Sequence, residues 1–196
     1  NVVYLVLCGG AVRRYLLGLG ALPDKSLMAG VPVGTRIDPT RLSGNHFDNM
    51  YVPLRTDLAD PVARLRAVHA ASAKARGLRA AMGRRRWARS KLADRVRPPI
   101  TLVASNVAGP REAPESEGGV ISALYSVGPI LEGIGLNITA WSFCDKLGVS
   151  VLGCPARVPD PWAVTTQFEA ELPDLRQRLG CAKSLRWCSP VASWLI

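Results

Sequence analysis

Two apolar runs constrain this chain most. "GLNITAWSF" (135–143) and "LGVSVLG" (147–153) are each of strand length and are separated only by Cys144, Asp145 and Lys146. So short a connection turns the second run back on the first, and the pair reads as a β-hairpin. Other strands must join it. "LMAGVPVG" (27–34) is a short apolar strand candidate, and "HFDNMYVPL" (46–54) alternates with period 2. "PPITLVAS" (98–105) and the Gly-bounded "GGVISALYSVG" (118–128) complete the set.

Helical patterns fall between these runs. Residues 2–17 put Val3, Leu7, Ala11 and Tyr15 on one face, with Gly9-Gly10 in the middle. Two glycines cost such a helix about 1 kcal/mol each against Ala, which suggests close packing against a strand or another helix. Gly18, Gly20 and Pro23 stop it. Asp60 is a candidate N-cap with Pro61 at the first turn, and Leu65, Val68 and Ser72 form the inward stripe of the helix that follows. Asp160 and Pro161 open a last helix over 159–179, which Pro173 should kink or end. The order helix, strand, strand, helix, strands, helix predicts an α+β fold: a mixed sheet with helices packed on one face. With 196 residues, 48% of them apolar, one core can be buried.

The charge is local. Ten Lys and Arg and one acid, Asp94, lie between Lys74 and Arg97, so +9 of the net +10 belongs to residues 74–97. Arg84, Arg85, Arg86 and Arg89 are its densest part. Such a run attracts nucleic-acid phosphates, anionic lipid headgroups or a phosphorylated cofactor, or is simply a solvated face. It holds one aromatic, Trp87, and no nucleic-acid module. The opening apolar run is closed by Arg13 and Arg14, too short to span a membrane and without the charged lead-in of a signal peptide. The start therefore reads as mid-protein.

Catalytic motifs are scarce. His46 and His69 are the only histidines, and each reads as structural. There is no G-x-S-x-G, P-loop or G-x-G-x-x-G after a strand. The five cysteines show no metal-binding spacing, and Cys8, Cys144 and Cys154 read as buried free thiols of a reduced cytosolic protein. What remains is polar groups at strand ends. Ser105 and Asn106 stand where "SNVAGPRE" leaves its strand, and Asn137 stands in "GLNIT". Such side chains can donate to a carbonyl or oxyanion, or can satisfy loop backbone.

The string "SNVAGPRE…YSVGPILEGIGLNITAWSF…LGVSVLGCPARVPDPWAV" resembles the C-terminal region of the bacterial wax ester synthase/diacylglycerol acyltransferase family. "VPVGTR", "GNHFDNMYVPLRTDLADPVARLRAVHAA" and "NVVYLVLCGGAVRRYLL" resemble it in the same order, so the resemblance covers residues 1–179. It implies one lobe of a two-lobed, chloramphenicol acetyltransferase-like fold with a tunnel between the lobes. It implies transfer of an acyl group from acyl-CoA, a co-substrate with no bound cofactor or metal, to diacylglycerol or a long-chain alcohol. The family's general base is the second histidine of an HHxxxDG motif in the N-terminal lobe, a motif this sequence does not contain. By the resemblance Asn1, Ser105, Asn106 and Asn137 become tunnel candidates. The basic segment becomes a candidate dock for an anionic inner membrane or a lipid droplet, in an otherwise cytoplasmic protein. The sequence departs from the family at Val2, where Asp is usual, and at Ala108, where Pro is usual. Residues 180–196 read as a divergent tail. The alternative is a non-catalytic lipid- or membrane-binding module on the same fold, with nucleic-acid binding a weaker third.

Overall fold

The computed structural model describes residues 1–34, 47–87, 100–116, 118–181, 186–187 and 191–194, with side chains except at 82–87, 115–116, 186–187 and 191–194. Helix α1 (Val2–Gly18) leads to β1 (Met28–Gly34) and β2 (Phe47–Pro53), then α2 (Pro61–Trp87). There follow β3 (Leu102–Val107), β4 (Glu115–Ser116), β5 (Gly119–Val120), β6 (Leu136–Phe143) and β7 (Lys146–Gly153). Helix α3 (Pro161–Leu179), β8 (Arg186–Trp187) and β9 (Val191–Trp194) complete the order.

The main sheet runs β2-β1-β3-β6-β7, with β8 and β9 both on the outer edge of β7. It is mixed: β1/β2 and β6/β7 are antiparallel, whereas β1/β3, β3/β6, β7/β8 and β7/β9 are parallel. The three helices pack on one another and on the sheet, so the expected α+β layer is what the chain forms. The β6/β7 hairpin closes on Cys144-Asp145, with Phe143 opposite Lys146. Cys144 takes a left-handed φ of 53° at this turn.

The core lies between helices and sheet. Tyr4, Leu5, Leu7 and Val12 of α1 meet Leu102, Ala104, Ile138 and Val149 beneath and Phe168 and Leu175 of α3 beside them. Val3 departs from its expected face and is 47% exposed, because the inward stripe of α1 runs through Tyr4, Leu7, Cys8, Ala11 and Tyr15. Both acidic caps form: Asp60 accepts from the Ala63 N–H at 2.8 Å and Asp160 from the Ala163 N–H at 3.2 Å. The glycine pair is packed as its sequence implied. A side chain at Gly9 would overlap the Leu54 carbonyl, and one at Gly10 would overlap the Glu171 carboxylate.

Three further expectations are corrected. Pro173 does not end α3, which runs on to Leu179, because Phe168 and Leu172 before or at that turn and Leu175 after it are all buried. The run 118–128 is not a strand of the main sheet. Only Gly119–Val120 pairs, with Glu115–Ser116, in a separate two-stranded ladder. The flanks of β6 and β7 are already taken by β3, β8 and β9, so the rest of this apolar run packs across the sheet instead of joining it. Cys144 is exposed at the hairpin turn and Cys154 is half-buried after β7, so only Cys8 of the three is a buried thiol.

Candidate functional site

Strand β3 carries the polar strand end inside the sheet rather than beyond it, since pairing with β6 continues to Val107 opposite Trp141. Consecutive strand residues face opposite sides. Asn106 therefore shares the helix side with Leu102 and Ala104, while Ser105 faces away. The structure separates these two neighbours.

On the helix side Asn106 reaches the start of α1. Its Nδ2 donates to Asn1 Oδ1 at 2.7 Å. Asn1 sits at the N-cap of α1, yet its side chain makes no capping bond and no acid stands in the first turn. The positive end of the α1 dipole thus lies beside two carboxamides at the end of a strand. That arrangement can bind or polarise a carbonyl oxygen.

On the other side lies a polar patch. Ser105 is level with Thr139, and Thr139 with Ser150, across three adjacent strands. Asn137, one step along the same face of β6, is 3% exposed. Its Nδ2 donates to the Pro129 carbonyl at 2.8 Å, and its Oδ1 accepts from the Thr139 hydroxyl at 2.8 Å. A Cβ at Gly128 would stand 2.5 Å from Asn137 Nδ2, so the 121–131 segment lies directly on this side chain. These bonds tie Asn137 to the segment that covers it. Asn137→Ala should cost about 1–3 kcal/mol by stranding these partners. It should also speed amide exchange over residues 121–131; unchanged exchange there would assign Asn137 to something other than holding the segment. Sequence reasoning missed Thr139 and Ser150. The signal was present in "NIT" and "VSV", where polar residues recur at strand period within apolar runs.

The "GPRE" turn is fixed from two sides. The Gly109 N–H donates to Ser142 Oγ at 3.1 Å, and the Pro110 carbonyl accepts from the Cys144 N–H at 2.8 Å. Gly109 has no room for a side chain, because a Cβ would overlap the Ser142 carbonyl and the Trp141 indole nitrogen.

Two further reactive groups lie among the described residues. Burial pushes the Cys8 thiol up to about 12, where it is protonated and inert as a nucleophile. His69 is exposed on α2, a solvated rather than a packed histidine. His46 and Arg89 lie outside the described residues; Arg84, Arg85 and Arg86 lie on the last turns of α2. Among the described residues no group of three or more His, Cys, Asp or Glu could hold a metal ion, and no helix is long and apolar enough to cross a membrane. One buried ion pair is structural. Arg64 and Glu171, each 2% exposed, pair at 2.9 Å across the α2–α3 contact, and Arg64 also donates to the Leu58 carbonyl at 3.0 Å. Burial draws the Arg64 pKa down, with Glu171 opposing the shift. Arg14 of α1 donates to the other Glu171 oxygen and pairs with Asp174 at 2.9 Å.

Residues 43–176 match the WS/DGAT C-terminal domain. The chain belongs to the WS/DGAT family. It is 34% identical over 203 residues to Rv0221 of Mycobacterium tuberculosis, which is named provisionally as a diacylglycerol O-acyltransferase; the match covers 94% of this chain and 43% of that protein. It is 30% identical over 194 residues to the O-acyltransferase WSD of Acinetobacter baylyi, covering 88% of this chain and 40% of the relative. Among solved structures it is similar to the wax ester synthase/diacylglycerol acyltransferase of Marinobacter aquaeolei VT8, with a TM-score of 0.73 and 25% identity. That match covers 92% of this chain and 44% of the other. The chain thus spans about two-fifths of the length of its WS/DGAT relatives, and the α+β lobe described above is the C-terminal lobe of that architecture.

Proposed function

We propose that this chain is the C-terminal lobe of an acyl-CoA-dependent O-acyltransferase that makes triacylglycerol or wax esters, and that it needs a histidine-bearing N-terminal lobe to turn over. The observation that carries this reading is the match of residues 43–176 to the C-terminal domain of a family whose named members are O-acyltransferases. The geometry is consistent with it. Among the described residues no base is poised at the strand end, while Asn1, Asn106 and the start of α1 form a polarising surface without one. Asn1 and Asn106 would position the acyl carbonyl as a base from the other lobe deprotonates the acceptor hydroxyl. Ser105 lines the opposite sheet face. Val120, Val127 and Leu131 are each half exposed or more, an apolar surface suited to a companion lobe.

The test uses two proteins. The chain alone, given labelled acyl-CoA with diacylglycerol or a long-chain alcohol, should form no ester above background. The same chain fused behind the N-terminal half of the Acinetobacter WSD should form ester, and Asn106→Ala in that fusion should lower kcat by about tenfold to a hundredfold. Turnover by the isolated chain, or a folded fusion that is inactive with every acceptor, overturns the proposal.

A further inference from the structure

A recess of about 420 Å³ opens at the end of β3 and β6 opposite to Asn106. That volume is typical of a site for one small ligand. Much of its wall is apolar: Leu16 from the last turns of α1, Ile100 ahead of β3, Ile134 ahead of β6 and Val158 after β7. Cys154 and Arg157 enter from one side. They belong to a tight turn in which the N–H groups of Arg157 and Val158 both donate to the Cys154 carbonyl, at 2.9 and 2.8 Å. The Cys154 N–H in turn donates to the Gly135 carbonyl at 2.9 Å, which ties the turn to the lip of β6. Gly135 leaves space for the Arg157 stem, since a Cβ there would lie 3.2 Å from Arg157 Cβ.

Arg157 therefore lines the recess on a braced stem. Arg157 is exposed, and none of the carboxylates among the described residues pairs with it. The Thr101 hydroxyl at the wall is already spent on the Met28 carbonyl at 2.9 Å. The recess thus offers a largely apolar hollow for one chain, with Arg157 in its lining. Charge complementarity selects an anionic, single-chain amphiphile, and a concave hollow with one cation suits a single molecule better than a lipid surface.

We propose that this recess binds a free long-chain fatty acid, with its hydrocarbon along Leu16, Ile100, Ile134 and Val158 and its carboxylate on Arg157. The site is separate from the strand end at Asn106, and its occupancy is read without any transfer reaction, so it stands or falls independently of the acyltransferase reading. Cys154 is a built-in reporter. Dodecanoate below its micelle concentration should slow N-ethylmaleimide labelling of Cys154 in the full chain by about tenfold at saturation, with exposed Cys144 and Cys181 unchanged in the same peptide mass analysis. Arg157→Gln, at an exposed position that leaves the fold intact, should weaken dodecanoate about tenfold and leave dodecanol protection unaltered. Three results overturn the proposal: unchanged Cys154 labelling with dodecanoate, equal weakening of acid and alcohol by Arg157→Gln, or protection only by phosphatidylglycerol vesicles.

Discussion

Glu171→Ala is expected to destabilise the chain by about 3–5 kcal/mol. The carboxylate it removes is 2% exposed and serves two guanidiniums, Arg64 on α2 and Arg14 on α1. The damage lies in what is left. Arg64 keeps only the Leu58 and Ala59 carbonyls, and its charge has no route to water. Arg14 is 40% exposed and still holds Asp174, so it is largely unharmed. The three single changes should therefore rank. Glu171→Ala is the worst. Arg64→Ala comes next, because Arg14 still holds the stranded carboxylate. Arg14→Ala costs about 1 kcal/mol or less, as a half-exposed partner does. Replacing the pair together, Arg64→Met with Glu171→Leu, should recover most of the loss, since the cost is of an unpaired buried charge rather than of the missing attraction. Urea unfolding of the four variants decides it. If Glu171→Ala falls within about 1 kcal/mol of the parent, or the double variant is no better than the single, the buried pair is not what locks the three helices together.

That pair also marks where sequence reading stops. Arg64 and Glu171 are 107 residues apart, and neither helix's sequence marks its charge as the buried one. Only the packing of α2 on α3 makes them neighbours. The hairpin, by contrast, was legible because its partners are three residues apart, and the two helix starts were legible because an Asp cap acts over one turn. Residues 118–128 have strand-like composition, but a strand exists only where a neighbour has a free edge, and composition does not report edges. Ser105 and Asn106 stand together in the sequence as one strand end. The structure parts them because β3 continues to Val107, and strand parity then puts them on opposite faces. Family membership was legible for a different reason: several blocks stood in order along the chain, and the match over 43–176 bears this out.

Gly10 carries the sharpest local test, because the sequence signalled close packing there and the structure supplies the reason. Its missing side chain leaves space for the Glu171 carboxylate and the Arg64 guanidinium against the α1 backbone. A methyl group at Gly10 must displace one or both. Gly10→Ala thus adds overpacking to the breaking of a buried ion pair, and should cost about 3 kcal/mol or more, lowering Tm by about 6–12 °C. Gly18, in the same helix, has open space around the position of its Cβ. There the same substitution gains helix propensity without a clash, and Gly18→Ala should stabilise by up to about 1 kcal/mol. One chemical change in one helix is thus expected to act with opposite signs. Propensity alone would make both favourable, and a general intolerance of α1 would make both harmful. Thermal melts followed by circular dichroism distinguish the three cases, and a shift in the same direction for both variants would remove the Glu171 carboxylate as the reason that Gly10 must be glycine.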